Sequence, residues 1–361
     1  MNEGVPTQMM QPAVQRVTQR PAAAPPAIRT PLISVVIVNY RRWDETAALV
    51  DQLLQPRHIH RFDLEVIVVD NDSQPDPLEA ELATRREVKV IRLPRNVGFS
   101  AGVNAGYLAS RGEWVLVLNP DVVVCPGFVD LLCGAARDLR DDASMRAPIG
   151  VVGFHLQNRD GSWQLSTGRF PTLPGLLLGL FKPRRTRKYF EPVPGTRQSV
   201  PWVTGSCLLI RRECLNDLRG FDSSYFLYYE DVDLCRRAID AGWAVCYEPN
   251  VIARHMEPLQ NRELTEPLRV ITRHAALTYF YKHLSSWQFR GLVQIIKLEA
   301  RLRRQVHRWR GRTQPAEMMS LLLEMTEFLA QGEEALARQS LEHVLRLAGM
   351  SRPKHVQSLA A

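Results

Sequence analysis

The chain has 361 residues, of which 45% are hydrophobic and 23% charged, and this length suits one large globular domain with a smaller one. Its net charge of +8 leaves nucleic acid, anionic lipid and phosphorylated substrates open as partners. No apolar run approaches the ~18 residues of a membrane-spanning helix. The amino terminus lacks the charged-then-apolar pattern of a secretion signal. Six cysteines without metal-like spacing are expected to be core residues in a reducing compartment.

The first third of the chain alternates predicted strands and helices. Residues 1–30 are rich in Pro, Gln and Ala and are expected to form a disordered tail. Near-continuously apolar strands are then predicted at 33–39, 64–70, 88–93 and 113–118, with helices at 44–54 and 98–109. Such strands indicate βαβ units and a parallel sheet covered by helices on both faces. This layout is typical of a nucleotide-binding layer.

The fourth strand ends on Asn119-Pro120-Asp121, which leaves a carboxylate at its carboxyl end. In open α/β sheets ligands bind at that edge, and Pro120 stiffens the turn that orients Asp121. The alternative interpretation is a turn in which the aspartate only accepts a local hydrogen bond.

Polar residues also follow the other predicted strands. They are Asn39-Tyr40, the run from Asp70 through Asp72 to Ser73, and the loop 95–100 with Asn96 and Gly98. Parallel strands place these ends on one edge of the sheet. Turn chemistry explains each loop taken alone. It does not explain why carboxylates occupy two positions on this edge beside a glycine-rich helix start. Gly98 and Gly102 would let the backbone approach a ligand, and the helix start offers N–H groups to an anion.

The second informative region runs from Trp202 to Ile239. A strand leads into a short helix, and Gly205 indicates close approach of backbone. In the following helix the spacing puts Asp231 at the head of an apolar face. Asp233 lies off that face and is expected to form a surface pair with the arginines that follow it. The apolar face is predicted to comprise Leu234, Cys235, Ala238 and Ile239.

Two interpretations of the acids before this helix remain open. Glu230 and Asp231 suit a helix amino terminus on electrostatic grounds alone. The preceding aromatic cluster, which includes Tyr228 and Tyr229, instead favours a shaped pocket wall. His255 follows short strands predicted at 243–247 and 251–254, although a lone histidine is usually a packing or surface residue.

The blocks together resemble family 2 of the inverting glycosyltransferases, particularly bacterial rhamnosyltransferase-like and galactofuranosyltransferase-like members. The matching segments are 35–40 (VVIVNY), 66–73 (VIVVDNDS), 95–106 (RNVGFSAGVNAG), 118–121 (LNPD), 205–212 (GSCLLIRR), 229–234 (YEDVDL) and His255. The resemblance implies a GT-A-type fold, Rossmann-like with a mostly parallel sheet. The resemblance covers about residues 32–258 and implies a catalytic domain at 31–260. The composition of the remaining chain predicts the disordered tail (1–30), and its helical pattern predicts a helical carboxyl-terminal region (261–361).

The resemblance also implies a nucleotide-diphosphate-sugar donor and a divalent metal, Mg²⁺ or Mn²⁺. Asp231 matches the catalytic base, and Asp121 and His255 match the metal site, with Asn119 replacing the first Asp of the D-x-D motif. Asn is a weaker, neutral ligand, so metal affinity is expected to be modest. Donor-binding residues are expected to be Asn39, Asp70, Asp72, Asn96, Gly98, Asn119 and Gly205. The acceptor side is assigned to Glu230, Tyr228, Tyr229 and Trp202.

The implied reaction is transfer of a sugar, from a dTDP-rhamnose-like or UDP-sugar donor, to a glycan or lipid-linked acceptor in bacterial surface-polysaccharide synthesis. Two other classes are weighed against it. A Rossmann-type dehydrogenase would need G-x-G-x-x-G after the first strand, where the chain has Asn39-Tyr40-Arg41-Arg42. A nucleic-acid-binding protein would explain the basic character, but no binding motif accompanies it.

The basic residues cluster unevenly. An apolar run at 173–181 precedes five Lys/Arg in 182–188, and 297–312 holds seven Lys/Arg against one Glu, with Leu302, Val306 and Trp309 interleaved. We expect a cytoplasmic enzyme that binds peripherally to the anionic inner face of the membrane. The alternatives are that 173–181 packs in the core, and that the arginine stripe is solvated or pairs with a second copy through the carboxyl-terminal helices.

Overall fold

The structure is a computed structural model that describes residues 31–55, 64–140, 142, 145–179, 189–258 and 263–351. The expected tail (1–30) and the basic cluster (182–188) lie outside the described residues. The strands are β1 (Ile33–Asn39), β2 (Leu64–Asn71), β3 (Val88–Leu93), β4 (Trp114–Leu118), β5 (Val122–Val124), β6 (Ile149–Gln157), β7 (Trp163–Gln164), β8 (Thr167–Gly168), β9 (Gln198–Ser199), β10 (Trp202–Val203), β11 (Cys207–Arg211) and β12 (Ala244–His255).

The helices cover the sheet and then continue alone at the carboxyl-terminal side. They are α1 (Trp43–Leu53), α2 (Pro77–Ala83), α3 (Phe99–Ala109), α4 (Phe128–Arg140), α5 (Leu173–Gly179), α6 (Arg212–Leu218), α7 (Glu230–Asp240), α8 (Glu266–His283), α9 (Ser286–Trp309), α10 (Thr313–Ala330) and α11 (Glu334–Leu347).

The main sheet has the strand order β3-β2-β1-β4-β11-β6-β12-β5. The first four strands are parallel, as the sequence predicts, whereas β11 runs antiparallel to both of its neighbours. Because successive side chains of a strand point to opposite faces, β1 contributes side chains to two hydrophobic cores. Val36 and Val38 pack in one of them, and Val35 and Ile37 in the other.

The two faces of the sheet carry different helices. Apolar residues of α1, α2 and α4 belong to the core on one face, and those of α3, α6, α7 and the carboxyl-terminal helices belong to the core on the other. The predicted α/β class with a mostly parallel sheet and a helical appendix is therefore confirmed. The strands predicted at 243–247 and 251–254 are one strand, β12, whose pairing with β6 shifts register between Glu248 and Ile252.

Helices α8 to α11 pack on one another and on the sheet side that carries α7, so a single apolar core spans both regions. Buried residues of α9 and α10, including Ile296 and Met319, belong to the same core as Val232 of α7. Within the described residues, no helix combines the length and the apolar character that crossing a membrane requires.

Candidate active site

The carboxyl ends of β1 and β2 are joined by buried side chains. Asp70 is fully buried, and its Oδ1 accepts hydrogen bonds from Asn39 Nδ2 (3.3 Å) and from the Ser73 N–H (3.1 Å). Asp70 Oδ2 makes no hydrogen bond to described residues and lies 3.5 Å from Arg92 Nη1. Asp72 is also buried and has a left-handed φ of 74°. A strained residue of this kind marks a conformation that its surroundings impose.

The loop before α3 is organised by two asparagines. Asn71 Oδ1 accepts the Val97 N–H (2.9 Å), and Asn71 Nδ2 donates to Asn96 Oδ1 (2.9 Å). Asn96 Oδ1 also accepts the Gly98 N–H (3.0 Å), while its Nδ2 donates to the Met350 carbonyl (2.9 Å). The Asn96 amide is therefore engaged within the protein, and in this structure it shapes the loop around Gly98.

Gly98 is the point where this loop meets the aromatic segment before α7. Its φ is 93°, and a Cβ there would lie 2.6 Å from the Phe226 carbonyl oxygen. The neighbouring Phe99 N–H donates to the same carbonyl (2.7 Å). The absence of a side chain at Gly98 thus allows the predicted donor loop and the predicted acceptor side to touch.

Asp121 and His255 are brought together by the antiparallel pairing of β5 with β12. The register sets His255 opposite Val122, one residue after Asp121. Both side chains are buried, and His255 Nε2 lies 3.5 Å from Asp121 Oδ2. The Met256 N–H donates to the Asp121 carbonyl (3.0 Å), which fixes the turn beside this pair.

Gln164 of β7 holds the other side of the His255 ring. Its amide Nε2 lies 3.0 Å from His255 Nδ1, and its Oε1 is buried without a hydrogen-bond partner. Amide orientation is assigned from such networks, and the opposite orientation lets Oε1 accept Nδ1–H. The Nε2 lone pair of His255 then faces Asp121, as it does in histidines that bind metal through one nitrogen and donate from the other.

This pair fits a divalent cation. His255 Nε2 is buried and makes no hydrogen bond within the described residues, and a carboxylate oxygen faces it. No group of three or more His, Cys, Asp or Glu side chains arranged for a metal occurs among the described residues. Two protein ligands suffice where substrate phosphates and waters complete the shell, as Mg²⁺ sites commonly show.

One turn links Asn119 to the carboxylate of Asp231. The Ser206 carbonyl accepts the Asn119 N–H (3.0 Å), and the adjacent Gly205 N–H donates to Asp231 Oδ2 (2.9 Å). Asp231 Oδ1 accepts the Val232 N–H (2.8 Å). Asp231 is therefore a half-buried carboxylate with both oxygens oriented by backbone. A Cβ at position 205 would touch the Asp231 side chain at 3.4 Å.

The residues before Asp231 adopt an unusual backbone conformation. Tyr228 and Tyr229 have φ values of 73° and 67°, left-handed values that aromatic side chains rarely adopt. Both rings are half-buried, Tyr229 contacts the Tyr279 ring, and Glu230 is buried. This strain turns the chain sharply into α7 and so sets the direction of the Asp231 side chain.

Two expectations about α7 are wrong. Asp233 pairs with Arg237 as expected (Nε, 2.7 Å), but it is 0% exposed instead of lying at the surface, and it also bonds His283 Nε2 of α8 (2.7 Å). Ile239, predicted on the buried face, is 40% exposed, because the packed face of the helix is centred on Val232 and Cys235. The α8 helix, which covers this side of α7, has no local signature near Asp233 in the sequence.

Trp202 occupies a different place from the one that an acceptor-side role needs. It is 1% exposed, its indole N–H donates to the Arg169 carbonyl (2.9 Å), and its ring contacts Tyr189. In this structure Trp202 is a core residue that supports the turn carrying Gly205.

Three further residues contribute contacts at this edge that the sequence did not predict. Gln164 contacts His255, the Met350 carbonyl accepts from both Asn96 and Tyr40, and Arg42 Nη2 bonds Glu257 (2.6 Å). Burial lowers the pKa of Arg42, but the bond to Glu257 and the charges of Glu257 and Asp121 outweigh it and raise that pKa. A positive charge therefore stands close to Asp121. Arg41-Arg42 directly after β1 was the available signal.

The α/β sheet thus brings an acid–histidine pair and a carboxylate oriented by backbone to the carboxyl ends of its strands. The model of the family described as "Glycosyltransferase like family 2" matches residues 30–274. The chain belongs to this family and is a glycosyltransferase. The match favours the glycosyltransferase interpretation over the dehydrogenase and nucleic-acid-binding alternatives.

Two relatives found by sequence agree with this assignment. The chain is 31% identical over 246 residues to the N-acetylglucosaminyl-diphospho-decaprenol L-rhamnosyltransferase of Mycobacterium tuberculosis, covering 62% of this chain and 76% of that one. It is 29% identical to the rhamnosyltransferase WbbL of Escherichia coli, covering 45% and 59%. A solved mannosyltransferase of Pyrobaculum calidifontis in complex with GDP-Man and Mn²⁺ is 16% identical, with a TM-score of 0.49, and covers 92% of this chain and 90% of that one.

Proposed function

We propose that the protein is an inverting glycosyltransferase that moves a sugar from a nucleotide-diphosphate donor to a hydroxyl group, with Asp231 as the general base. The observation that carries this proposal is the link through residues 205 and 206. Gly205 orients the Asp231 carboxylate, and Ser206 holds the strand end that leads to Asp121. One turn would thus position both the acceptor side and the leaving-group side of the proposed reaction.

On the donor side, Asp70 and Asp72 would bind the nucleoside. The buried Asp70 Oδ2, which makes no hydrogen bond to described residues, is available to accept one from a base or a ribose. Asn39 and Asn96 are engaged within the protein and would hold the acids and the Gly98 loop in place. The N–H groups of Val97, Gly98 and Phe99 are bonded within the protein, so the expectation that the start of α3 offers them to an anion is not met.

Asp121 and His255 would hold a divalent cation, Mg²⁺ or Mn²⁺, with Asn119 close by. Such a cation neutralises charge on the departing diphosphate. Arg42 also interacts with Asp121, although Glu257 (2.6 Å) and Glu45 (3.4 Å) pair with its guanidinium group. The neutral Asn119 in place of a carboxylate leaves this site with one acid, so we expect modest metal affinity.

On the acceptor side, Asp231 would accept the proton of the attacking hydroxyl. The bond from the acceptor oxygen to the anomeric carbon forms as the bond from that carbon to the phosphate oxygen breaks, and the nucleoside diphosphate leaves. Attack opposite the leaving group inverts the anomeric centre. Tyr228, Tyr229 and Glu230, on the strained segment before α7, would border the acceptor.

The donor and acceptor classes come from the relatives. Rhamnosyltransferases among them favour a dTDP-rhamnose-like donor, with UDP-sugars as the second candidate. The mycobacterial relative is named for an acceptor that is a lipid-linked saccharide diphosphate, and we propose an acceptor of that class in bacterial surface-polysaccharide synthesis. Such an acceptor would place the enzyme at the inner face of the cytoplasmic membrane.

The decisive experiment is a panel of dTDP-, UDP- and GDP-sugars incubated with the full-length protein, Mn²⁺ and a short-chain lipid-linked saccharide. We expect one donor class to be consumed, with the product anomer inverted by NMR. Turnover of no donor in the panel, or retention of configuration, would contradict the proposal.

A further inference from the structure

The outer face of α9 exposes a stripe of large apolar side chains. Their spacings of eight, three, four, four and three residues fall on one side of a helix. The opposite side, with Phe289, Val293 and Ile296, packs in the core against α8 and α10. The stripe consists of Trp287 (61% exposed), Ile295 (41%), Leu298 (58%), Leu302 (60%), Val306 (43%) and Trp309 (83%).

A row of basic side chains runs along one edge of this stripe. At 100° per residue, its members lie 60° to 120° from Leu298 in the same direction. Lys297 pairs with Glu327 of α10, whereas Arg290, Arg301 and Arg308 are exposed. The row comprises Arg290, Lys297, Arg301, Arg304 and Arg308.

The only acid of α9 does not offset this row. Glu299 lies on the other side of the helix and is bonded to Arg273 (2.8 Å), Arg269 (3.3 Å) and Arg303 (3.2 Å). Burial raises the pKa of Glu299, but these guanidinium groups outweigh that and lower it. Arg303 therefore serves an internal ion-pair network and is not part of the outer row.

Helix α5 extends the apolar surface. Leu173 packs against Gly291, which lies within the stripe, and its N–H donates to Gln288 Oε1 (3.0 Å). A side chain at Gly291 would collide with Leu173, since a Cβ there would lie 2.4 Å from it. Anchored in this way, α5 exposes Leu177 and Leu178 next to the amino-terminal half of α9. The alternative that 173–181 packs in the core therefore holds for Leu173 but not for Leu177 or Leu178.

We propose that the outer face of α9, with α5, lies flat on an anionic lipid surface. An exposed apolar stripe with an arginine edge has the chemistry of an interfacial helix, whose apolar side chains enter the acyl boundary while guanidinium groups reach phosphates. Tryptophan favours the headgroup level, and here it stands at both ends of the stripe, 22 residues or about 33 Å apart. Lys297 and Arg301 lie near Glu327 of α10, and the other members of the row, Arg290, Arg304 and Arg308, supply positive charge for lipid phosphates.

This inference deepens the proposed function. It rests on that function only for the purpose of docking, which is to bring the candidate active site to a lipid-linked acceptor. The docking itself depends on α9 and α5 and on no residue of the candidate active site. Binding to lipid and transfer of sugar can therefore be measured separately.

The test is co-sedimentation of the full-length protein with vesicles of phosphatidylcholine alone or with 30% phosphatidylglycerol. The wild-type protein is expected to bind the anionic vesicles at low salt and to dissociate as salt screens the charges. Arg301→Gln with Arg308→Gln should weaken binding on the order of 30-fold, since each surface cation contributes about a factor of five. The matched control, Arg86→Gln with Arg159→Gln, removes the same charge from exposed sites elsewhere and should bind normally.

The apolar contribution has its own pair of variants. Leu302→Gln with Trp309→Gln should abolish most binding at any salt concentration, whereas Leu108→Gln with Leu131→Gln, also exposed leucines, should not. Failure of the wild-type protein to co-sediment with anionic vesicles at low salt would overturn the proposal. So would equal losses in the control variants, or sedimentation showing that the stripe variants instead lose self-association, because a second copy would then be the occupant.

The transfer assay with a short-chain acceptor in detergent separates the two proposals. Stripe variants that lose vesicle binding but keep this activity support docking as stated. Intact vesicle binding with no transfer to any acceptor would contradict the proposed function and leave the docking surface standing.

Discussion

Single side chains at the sheet edge are oriented before any substrate arrives. Asp231 accepts two backbone N–H groups, and Asp121 and His255 face each other at 3.5 Å. Preorganised groups of this kind cost no reorientation during the reaction. Their roles can therefore be tested by substitutions that keep shape.

Asp231→Asn is expected to lower kcat by about 10²–10⁴, because the amide keeps the shape of the carboxylate but cannot take the proton. Donor affinity, measured by calorimetry, should change little. Asp240→Asn, an exposed change in the same helix, should leave kcat intact. If Asp231→Asn retained more than about a tenth of wild-type kcat, the base would have to be sought elsewhere.

Gln164→Leu is expected to weaken Mn²⁺ binding about 10–100-fold, since it removes the group that orients the His255 ring. Gln164→Glu should preserve the affinity, because a carboxylate oxygen still accepts from Nδ1. Asp121→Ala should weaken binding most, and His255→Ala less. Electron paramagnetic resonance of free Mn²⁺ measures this without turnover, and an unaffected Gln164→Leu would refute the orienting role.

Elements differ in how much of their placement the sequence predicts. Strands β1, β2 and β4 are buried on both faces, so their continuous apolar runs reveal them, and their polar ends reveal the edge. The pairing of β5 with β12 has no such local signal, because it joins distant segments. The burial of Asp233 likewise depends on His283, 50 residues away. Local chemistry was predictable here, and long-range pairing was not.

The ion-pair network around Glu299 gives a prediction about pH. Because its folded pKa is lowered, the network stabilises the protein above the ordinary glutamate pKa and is lost as pH falls through the folded value. Glu299→Gln should cost about 1–3 kcal/mol of unfolding free energy at pH 7, and less in acid. Urea unfolding at several pH values checks this, with exposed Glu333→Gln as the control. A cost that does not depend on pH would argue against the ion pairs.

At the scale of the whole molecule, the helical appendix contacts the edge of the sheet that we propose binds the donor. Arg338 of α11 donates to the carbonyls of Ser223 (3.0 Å) and Val97 (3.4 Å), and the Met350 carbonyl accepts from Tyr40 and Asn96. The carboxyl-terminal helices therefore hold both the loop that contains Asn96 and Val97 and the segment that contains Ser223. The resemblance to the family ends before them, which is why the sequence left their role open.

Arg338→Gln should raise the KM for the donor about fivefold with a smaller change in kcat, since roughly 1 kcal/mol of loop bracing is lost while the reacting groups stay in place. Arg346→Gln, exposed on the same helix, should have normal kinetics. Steady-state assays over a range of donor concentrations distinguish these outcomes. An unchanged KM would mean that α11 supports the fold but not the donor loop.

The turn that orients Asp231 has a consequence for selectivity against water. The Gly205 N–H orients the Asp231 carboxylate whether or not an acceptor is bound. A water molecule in the empty acceptor position could therefore give its proton to Asp231 and attack the donor. The enzyme should therefore split its donor slowly when no acceptor is present, releasing free sugar. This wasteful reaction should vanish in Asp231→Asn, and the ratio of transfer to hydrolysis would measure how well the aromatic segment excludes water.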